Sequence, residues 1–190
     1  MITGQVSLEI MAVTWNHARE PQNLDFEAMF PDYERYNIIA FGAQECGHEK
    51  EEEVALIHSY LGKEYIKIDY VGKGEIFLVV FVKEYDCRFM RDACKNLIMK
   101  DMLGYGWKGG VMIQFTLYDT VFSFVNCHLE SGQNAVEKRL IMASGILKEI
   151  GLFSEKDMIE PDAIADINFF MGDLNFRFNN TYTQHASQVL

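Results

Sequence analysis

Residues 168–177 join an apolar run to three polar residues whose types and spacing could do chemistry. The run ends in Gly-Asp-Leu-Asn-Phe-Arg, which places Asp173, Asn175 and Arg177 within five positions. The run predicts a buried strand, and alternation along an extended chain puts these three side chains on one side of it. A carboxylate, an amide and a guanidinium at one point indicate a site. A strand followed by an ordinary polar turn is the alternative interpretation.

Three earlier predicted strands, at residues 6–15, 37–45 and 121–126, also lead into polar residues at their ends. These residues are Asn16, the pair Gln44-Glu45, and the pair Asn126 and His128. Each alone has an ordinary explanation, such as a solvated edge or a hydrogen-bonded structural histidine. In layered α/β folds, however, sites form beyond the carboxyl ends of the strands. Four such ends in series therefore indicate one shared site.

The chemistry that fits these side chains is metal-assisted hydrolysis of a phosphate ester. Mg²⁺ prefers oxygen ligands and typically uses one or two carboxylates plus the substrate phosphate. We expect Glu45 to bind Mg²⁺, with Asn16 beside it. Asp173 and Asn175 suit a base and an amide that orients the attacking water. His128 would donate to a phosphate oxygen and stabilise the charge that develops there.

Three basic side chains are candidates for binding further phosphates of the substrate. They are Arg177, Lys108 and Arg139. A guanidinium fork matches the geometry of a phosphate, and an ammonium binds it as a point charge. For Lys108, which follows a glycine-rich stretch, an ordinary surface position is the alternative.

Length, composition and charge limit the function classes. The 190 residues fit one domain, taken here as 1–190, and 49% apolar with 24% charged residues is ordinary globular composition. The net charge of −11 disfavours sequence-independent binding of nucleic acid. It leaves room for a small polyanion, because a basic pocket or a metal reverses the local field. No apolar run reaches the ~20 residues that span a bilayer, and no signal peptide is evident. We expect a cytoplasmic protein.

The cysteines favour reduced thiols over a zinc site. The chain carries Cys46, Cys87, Cys94 and Cys127, and no two of them have CxxC spacing.

Helical and strand patterns alternate along the chain, with hairpins between them. We predict helices at residues 49–61 and 134–150, a helical turn within 25–36, and partly helical structure at 86–103. Hairpin turns are predicted at 72–74 and 119–120. The second long helix has one apolar stripe, formed by Val136, Leu140, Ala143, Leu147 and Ile150. This order predicts an α/β fold with mixed sheets.

In order and rough spacing, the motifs resemble those of the inositol polyphosphate 5-phosphatases, within the endonuclease/exonuclease/phosphatase superfamily. The matching segments are Thr14-Trp15-Asn16, Gln44-Glu45, Lys108-Gly109-Gly110-Val111, Asn126-x-His128-Leu129-x-x-Gly132 and Gly172-Asp173-Leu174-Asn175-Phe176-Arg177. The resemblance runs over nearly the whole chain. The last two segments are specific to the phosphatase branch.

The resemblance implies a DNase I-like, four-layer α/β/β/α sandwich with two mixed, mostly antiparallel sheets. It implies Mg²⁺-dependent removal of the 5-phosphate from phosphatidylinositol polyphosphates or soluble inositol polyphosphates. Contact with a membrane would be peripheral, through a lipid substrate, and nucleic acid would not be a partner. The implied roles are metal binding by Glu45 with Asn16 nearby, phosphate contact by His128, water activation by Asp173 and Asn175, and a ring-phosphate contact by Arg177.

The chain departs from the family pattern in several places. His17-Ala18-Arg19 stands where Val-Asn-Gly is usual, Trp107 replaces Asn, and Glu130-Ser131 replaces two alanines. Counterparts of the family's later Pro-Thr-Tyr-Lys-like, Pro-x-Trp-x-Asp-Arg and Ser-Asp-His segments are not found. We therefore expect a C-terminally truncated domain with an incomplete second sheet, marginal stability and weak or no activity.

Two alternatives to a phosphatase remain open at this point. One is a nuclease or sphingomyelinase of the same superfamily, which the acidic balance and the Gly-Asp-Leu-Asn-Phe-Arg string disfavour. The other is a catalytically inactive module that binds phosphoinositides or a partner through an exposed sheet.

Overall fold

The computed structural model describes residues 6–20, 24–47, 49–92, 95–99, 108–149 and 165–176. Its strands are β1 (Ile10–Asn16), β2 (Ile38–Gln44), β3 (Tyr65–Lys73), β4 (Ile76–Lys83), β5 (Lys95–Met99), β6 (Gly109–Leu117), β7 (Thr120–His128) and β8 (Ile167–Asp173). Its α-helices are α1 (Phe26–Met29), α2 (Lys50–Leu61), α3 (Glu84–Cys87) and α4 (Val136–Glu149), with a 3₁₀ turn at Tyr33–Arg35. None of the helices described is long and apolar enough to cross a bilayer.

The described strands form two four-stranded sheets. The first has the order β1-β2-β4-β3 and the second β5-β6-β7-β8. In each sheet one pair is parallel, β1 with β2 and β7 with β8, and the other pairs are antiparallel. This confirms the predicted mixed, mostly antiparallel arrangement. That the second sheet is incomplete stays a prediction.

The parallel pairs bring the predicted strand ends together. Asn16 lies opposite Gln44 at the end of the first pair, and His128 lies opposite Asp173 at the end of the second. Each pair therefore delivers two polar residues to the same edge of its sheet.

The two sheets, with a helix on the outer face of each, form four layers, and an apolar cluster lies between each pair of neighbouring layers. Between the sheets lie Ala40, Leu78 and Val80 from the first sheet and Val111, Ile113 and Phe124 from the second. On the outer face of the first sheet, α2 contributes Val54, Ile57 and Leu61 to a cluster with Phe41, Phe77 and Phe81. On the outer face of the second, Ile146 of α4 joins Met112, Val125, Cys127 and Leu129. The predicted α/β/β/α sandwich is confirmed.

The predicted apolar stripe on α4 is confirmed only in part. Ala143 and Leu147 pack against the second sheet, but Val136 and Leu140 are 48% and 53% exposed, and the helix buries Arg139 and Ile146 instead. The helix carries apolar residues around much of its circumference, so helical periodicity fits more than one face. Packing against the sheet selects a face that includes an arginine.

The prediction of partly helical structure at 86–103 is also corrected for the residues that the structure describes in this range. The helix α3 ends at Cys87, and Lys95–Met99 form a strand that pairs antiparallel with β6. A neighbouring strand thus overrides the local preference, as tertiary context often does. The hairpin predicted at 72–74 turns later, at Gly74 and Glu75, where Gly74 has a φ of +53°.

Two glycines allow close packing at the level of the predicted site, Gly42 between the two sheets and Gly172 between β8 and β7 of the second sheet. A Cβ on Gly42 would lie 2.4 Å from Cγ of Asn126. A Cβ on Gly172, where φ is +123°, would lie 2.0 Å from the backbone oxygen of Cys127. Both contacts are too short for any side chain, so glycine is required at each position.

Candidate active site

Four side chains from the two sheets converge beyond the parallel strand pairs. Asn16 Nδ2 donates to Asp173 Oδ2 at 2.9 Å and to Glu45 Oε1 at 3.4 Å. His128 Nε2 lies 3.5 Å from Glu45 Oε1 and 3.5 Å from Asp173 Oδ2. The site is therefore built jointly, with Asn16 and Glu45 from the first sheet and His128 and Asp173 from the second.

Glu45 stands immediately after β2 in a left-handed backbone conformation, with a φ of +53°. This conformation is uncommon for residues other than glycine and persists where the surroundings fix it. Here the neighbouring backbone is tied down, because Arg19 N donates to Glu45 O at 3.1 Å and Cys46 N donates to Glu75 O at 3.1 Å. The chain turns sharply at Glu45 and directs its carboxylate into the site.

Asn175 does not follow the strand alternation that the sequence predicted. The strand ends at Asp173, and Asn175 adopts a φ of +53°. Its backbone N donates to Asp173 Oδ1 at 3.0 Å, and its Nδ2 donates to Leu129 O at 3.1 Å. An Asx turn of this kind uses the carboxylate to fix its own backbone. Asn175 therefore orients Asp173.

The amide of Asn16 presents its nitrogen, not its oxygen, to the carboxylates. Its Oδ1 accepts a hydrogen bond from Ala18 N at 2.8 Å, which fixes the orientation of the amide. That Asn16 offers a ligand to the metal stays a prediction. In the arrangement described here it holds the carboxylates of Glu45 and Asp173 in place.

The donor set fits a divalent cation. Ligand atoms of Glu45, His128 and Asp173 all lie within 4.8 Å of one another. Two carboxylates this close repel each other unless positive charge lies between them. Carboxylate oxygens are the protein ligands that Mg²⁺ uses, in small number. The residues present therefore suit the ion that the sequence predicts.

Lys108, which was predicted to bind substrate, lies within this cluster. Its Nζ is 2.5 Å from His128 Nε2. Burial lowers the pKa of Lys108, and the negative charges of Asp173 and Glu45 oppose that shift. Burial, and then the charge of Lys108, lower the pKa of His128. An ammonium can only donate, so His128 is neutral and accepts at Nε2 in this arrangement.

Of the other two predicted phosphate-binding residues, Arg139 does not lie in the cluster. Arg139 has 0% exposure, and its Nη1 donates to Glu130 O at 3.1 Å and to Gly132 O at 2.7 Å. A side chain without accessible surface cannot contact a substrate, so this prediction is corrected: Arg139 supports the loop after β7. Arg177 lies outside the described residues.

Sequence reasoning assigned no role to a buried amide pair beneath the site. Gln44 Nε2 donates to Asn126 Oδ1 at 2.7 Å and to Thr14 Oγ1 at 2.9 Å. Asn126 Nδ2 donates to the carbonyls of Ala43 and Phe77, at 3.0 and 2.7 Å. The pair joins the two sheets. Its signal in the sequence was a polar residue at the end of each of two apolar strands.

A second missed feature is the ion pair between Arg19 and Glu75. Arg19 Nε and Nη2 each lie 3.0 Å from Glu75 Oε2. Fifty-six positions separate the two residues. Only the unusual His-Ala-Arg segment could have drawn attention to Arg19.

Comparison with known proteins gives one family. Residues 13–189 match the model of Endonuclease/Exonuclease/phosphatase family 2. Among curated relatives, the human phosphatidylinositol polyphosphate 5-phosphatase type IV is 24% identical over 93% of this chain. The Danio rerio phosphatidylinositol 3,4,5-trisphosphate 5-phosphatase 2A is 30% identical over 76% of it. The chain spans 30% of the length of the first relative and 12% of the second.

Solved structures show the same fold. The inositol polyphosphate 5-phosphatase domain of spsynaptojanin, in complex with inositol (1,4)-bisphosphate and a calcium ion, matches with a TM-score of 0.73 and 21% identity. The match covers 96% of this chain and 56% of that one. A Cimex nitrophorin in a ferrous NO complex matches with a TM-score of 0.55 and 19% identity, over 69% of this chain and 50% of that one. The fold alone therefore does not fix the activity.

Proposed function

Because the chain belongs to endonuclease/exonuclease/phosphatase family 2, in the branch of the inositol polyphosphate 5-phosphatases, we propose that it is a phosphoinositide phosphatase. Its reaction is the Mg²⁺-dependent hydrolysis of the 5-phosphate of phosphatidylinositol polyphosphates or soluble inositol polyphosphates. The observation that carries the proposal is the convergence of Glu45, His128 and Asp173 within 4.8 Å. The curated relatives support the substrate class.

Glu45 would hold the metal, with Asp173 beside it. A bound Mg²⁺ would neutralise charge on the phosphate and polarise its phosphorus–oxygen bonds. Asn16 keeps both carboxylates in position through its two hydrogen bonds.

Asp173 is the base for the attacking water. Asn175 N occupies Oδ1, which leaves Oδ2 on the side of the site where His128 and Asn16 lie. The water gives a proton to this carboxylate as its oxygen forms the new bond to phosphorus. The bond from phosphorus to the ring oxygen breaks, and the ring hydroxyl leaves with a proton from solvent.

Lys108 stabilises the negative charge that develops on the phosphate oxygens, and His128 does so once phosphate has taken over the ammonium and the imidazole proton lies on Nε2. His128 is buried and Lys108 is half-buried, and a hydrogen bond to a charged oxygen is strong in surroundings that exclude water. Lys108 donates to His128 when no phosphate is present. A bound phosphate offers that ammonium a charged acceptor in place of the imidazole.

Phosphate release from inositol 1,4,5-trisphosphate and from vesicles containing phosphatidylinositol 4,5-bisphosphate, each with Mg²⁺, tests the proposal. Asp173→Asn should lower the rate about a thousandfold, the range found for a positioned general base. Arg35→Ala, at the opposite end of β1, is the matched control and should change nothing. Failure of the folded chain to release any phosphate would contradict the proposal, as would an unaffected Asp173→Asn variant.

The same assay tests two expectations from the sequence. The proposal requires measurable turnover, so of the expected weak or absent activity only weak activity agrees with it. Turnover close to that of a full-length relative would contradict the expectation from the sequence. Adding a single-stranded DNA and sphingomyelin to the substrate panel separates the phosphatase from the nuclease and sphingomyelinase alternatives.

A further inference from the structure

Arg19 and Glu75 form an ion pair at the rim of the site, and neither has a role in the reaction proposed above. The side chain of Arg19 is 54% exposed, whereas that of Glu75 is 21% exposed. The guanidinium is therefore open to solvent, and the carboxylate that holds it lies deeper. A surface ion pair of this kind typically adds little to stability, so folding alone gives no strong reason for it.

The backbone places this ion pair directly beside the metal-binding residue. Arg19 N donates to Glu45 O, and Glu75 O accepts from Cys46 N, each at 3.1 Å. The two residues thus bracket the turn at Glu45, one on each side. Ala18 and Arg19 are themselves left-handed, with φ of +53° and +60°. Such strain is typical of functional segments that their surroundings hold in place.

The charges around the site also point to a role for Arg19. Glu45, Asp173 and Glu130 surround Lys108 with negative charge. Arg19 is hydrogen-bonded through its backbone N to Glu45 O, and its guanidinium is fixed by Glu75, whose backbone O holds Cys46 N. The guanidinium is therefore attached to the same turn that places the Glu45 carboxylate in the cluster. A substrate with several phosphates brings more negative charge than Lys108 alone can balance.

A guanidinium binds phosphate with the same fork geometry that it uses for a carboxylate. We propose that Arg19 binds a substrate phosphate other than the one that is removed, and that Glu75 holds Arg19 until that phosphate replaces it. This inference rests on the proposed function and names a residue that selects polyphosphorylated substrates.

Calorimetric titration with inositol 1,4,5-trisphosphate and with inositol 5-monophosphate, both with Mg²⁺, tests the inference. Arg19→Ala should weaken binding of the trisphosphate about tenfold, as expected for one charged hydrogen-bonded contact. Binding of the monophosphate should not change. Glu75→Gln should tighten binding of the trisphosphate severalfold, because the competing carboxylate charge is gone.

Arg35→Ala is the matched control. Arg35 also pairs with a glutamate, through Nε to Glu9 Oε2 at 2.7 Å, and its side chain is 59% exposed, but it lies at the other end of β1. Its replacement should leave both affinities unchanged.

Three results would overturn the inference. Equal weakening of both ligands by Arg19→Ala would show that the pair only supports Glu45. Weakening by Glu75→Gln as large as that by Arg19→Ala would lead to the same conclusion. A wild-type chain that binds no trisphosphate would overturn the inference directly. Phosphate release recorded in parallel keeps the two hypotheses apart. If the chain binds the trisphosphate and releases no phosphate, the proposed function fails and the comparison of affinities still decides the role of Arg19.

Discussion

Two groups of polar side chains lie between the same two sheets and differ in how fully they are paired. In the lower group, the amides of Gln44 and Asn126 satisfy each other and two backbone carbonyls, fully buried and uncharged. In the upper group, two carboxylates lie against one imidazole, and His128 Nδ1 has no hydrogen-bond partner among the described residues. The lower group fixes the sheets, whereas the upper group is arranged for a ligand that the protein itself does not supply.

Replacing Gly172 should break both groups at once. A Cβ there would lie 2.0 Å from Cys127 O and 2.9 Å from Asn126 Oδ1, at a φ of +123°. Gly172→Ala must separate β7 from β8, so we expect a loss of about 4 kcal/mol in the free energy of unfolding. Gly145→Ala, where a Cβ meets nothing within 4 Å, is the control and should stabilise the protein. Urea denaturation measures both, and equal stabilities would contradict the predicted clash.

Removing one amide of the lower group should cause the next largest loss in the free energy of unfolding. Asn126→Ala leaves the carbonyls of Ala43 and Phe77 and the amide of Gln44 buried without their partner. We expect a loss of about 3 kcal/mol, since each unsatisfied buried group costs ~1–3 kcal/mol. The exposed Gln133→Ala serves as the control, with an effect within about 0.5 kcal/mol. A loss below 1 kcal/mol in thermal or urea unfolding would show that this pair does not hold the sheets.

Removing one carboxylate charge from the upper group should increase the stability of the metal-free protein. Glu45→Gln relieves the repulsion with Asp173, and its amide oxygen can still accept from Asn16, so we expect a gain of about 1 kcal/mol in stability without metal. Asp173 does not suit this test, because both of its oxygens accept hydrogen bonds and an asparagine would turn its NH2 group towards a donor. Phosphate release falls in the Glu45→Gln variant. The control is Glu64→Gln, an exposed carboxylate in the turn before β3. A destabilised Glu45→Gln variant would remove the contrast between the two groups.

The smallest expected effect concerns the alkylation of two buried cysteines, Cys46 and Cys127, which are the chain neighbours of Glu45 and His128. Burial raises the pKa of Cys46 and of Cys127 to about 12, so almost no thiolate exists at pH 8. Native protein treated with iodoacetamide should carry no modification at either position, and protein in denaturant should carry both. Mass spectrometry of the digested protein reads the two sites separately. Rapid native labelling of Cys127 would mean that the sheets open there.

The fold and the position of the site follow from local features of the sequence. Continuous apolar runs such as residues 37–43 predict buried strands, and their abrupt polar ends predict Glu45 and Asp173 at one edge. Those properties depend on neighbouring residues only. The four layers were predictable in a different way, from the resemblance of the motifs to those of a known family.

The remaining features depend on contacts that local patterns do not contain. The burial of Arg139 depends on the carbonyls of a loop, and the turn at Asn175 depends on the Asp173 carboxylate. The face that α4 buries is chosen by the sheet beneath it, and the partner of Arg19 lies far along the chain. The sequence patterns therefore predicted which polar residues lie at the ends of the parallel strands, but not the contacts that decide the role of Arg139 or the turn at Asn175.

The hydrogen bond between Asn16 and Asp173 joins residues 157 positions apart. Contacts of such long separation form slowly, because the entropy of closing the intervening loop must be overcome first. During synthesis, β1 and β2 can pair long before β8 has left the ribosome. The complete cluster of Asn16, Glu45, His128 and Asp173 can therefore assemble only after β8 has been made and has paired with β7.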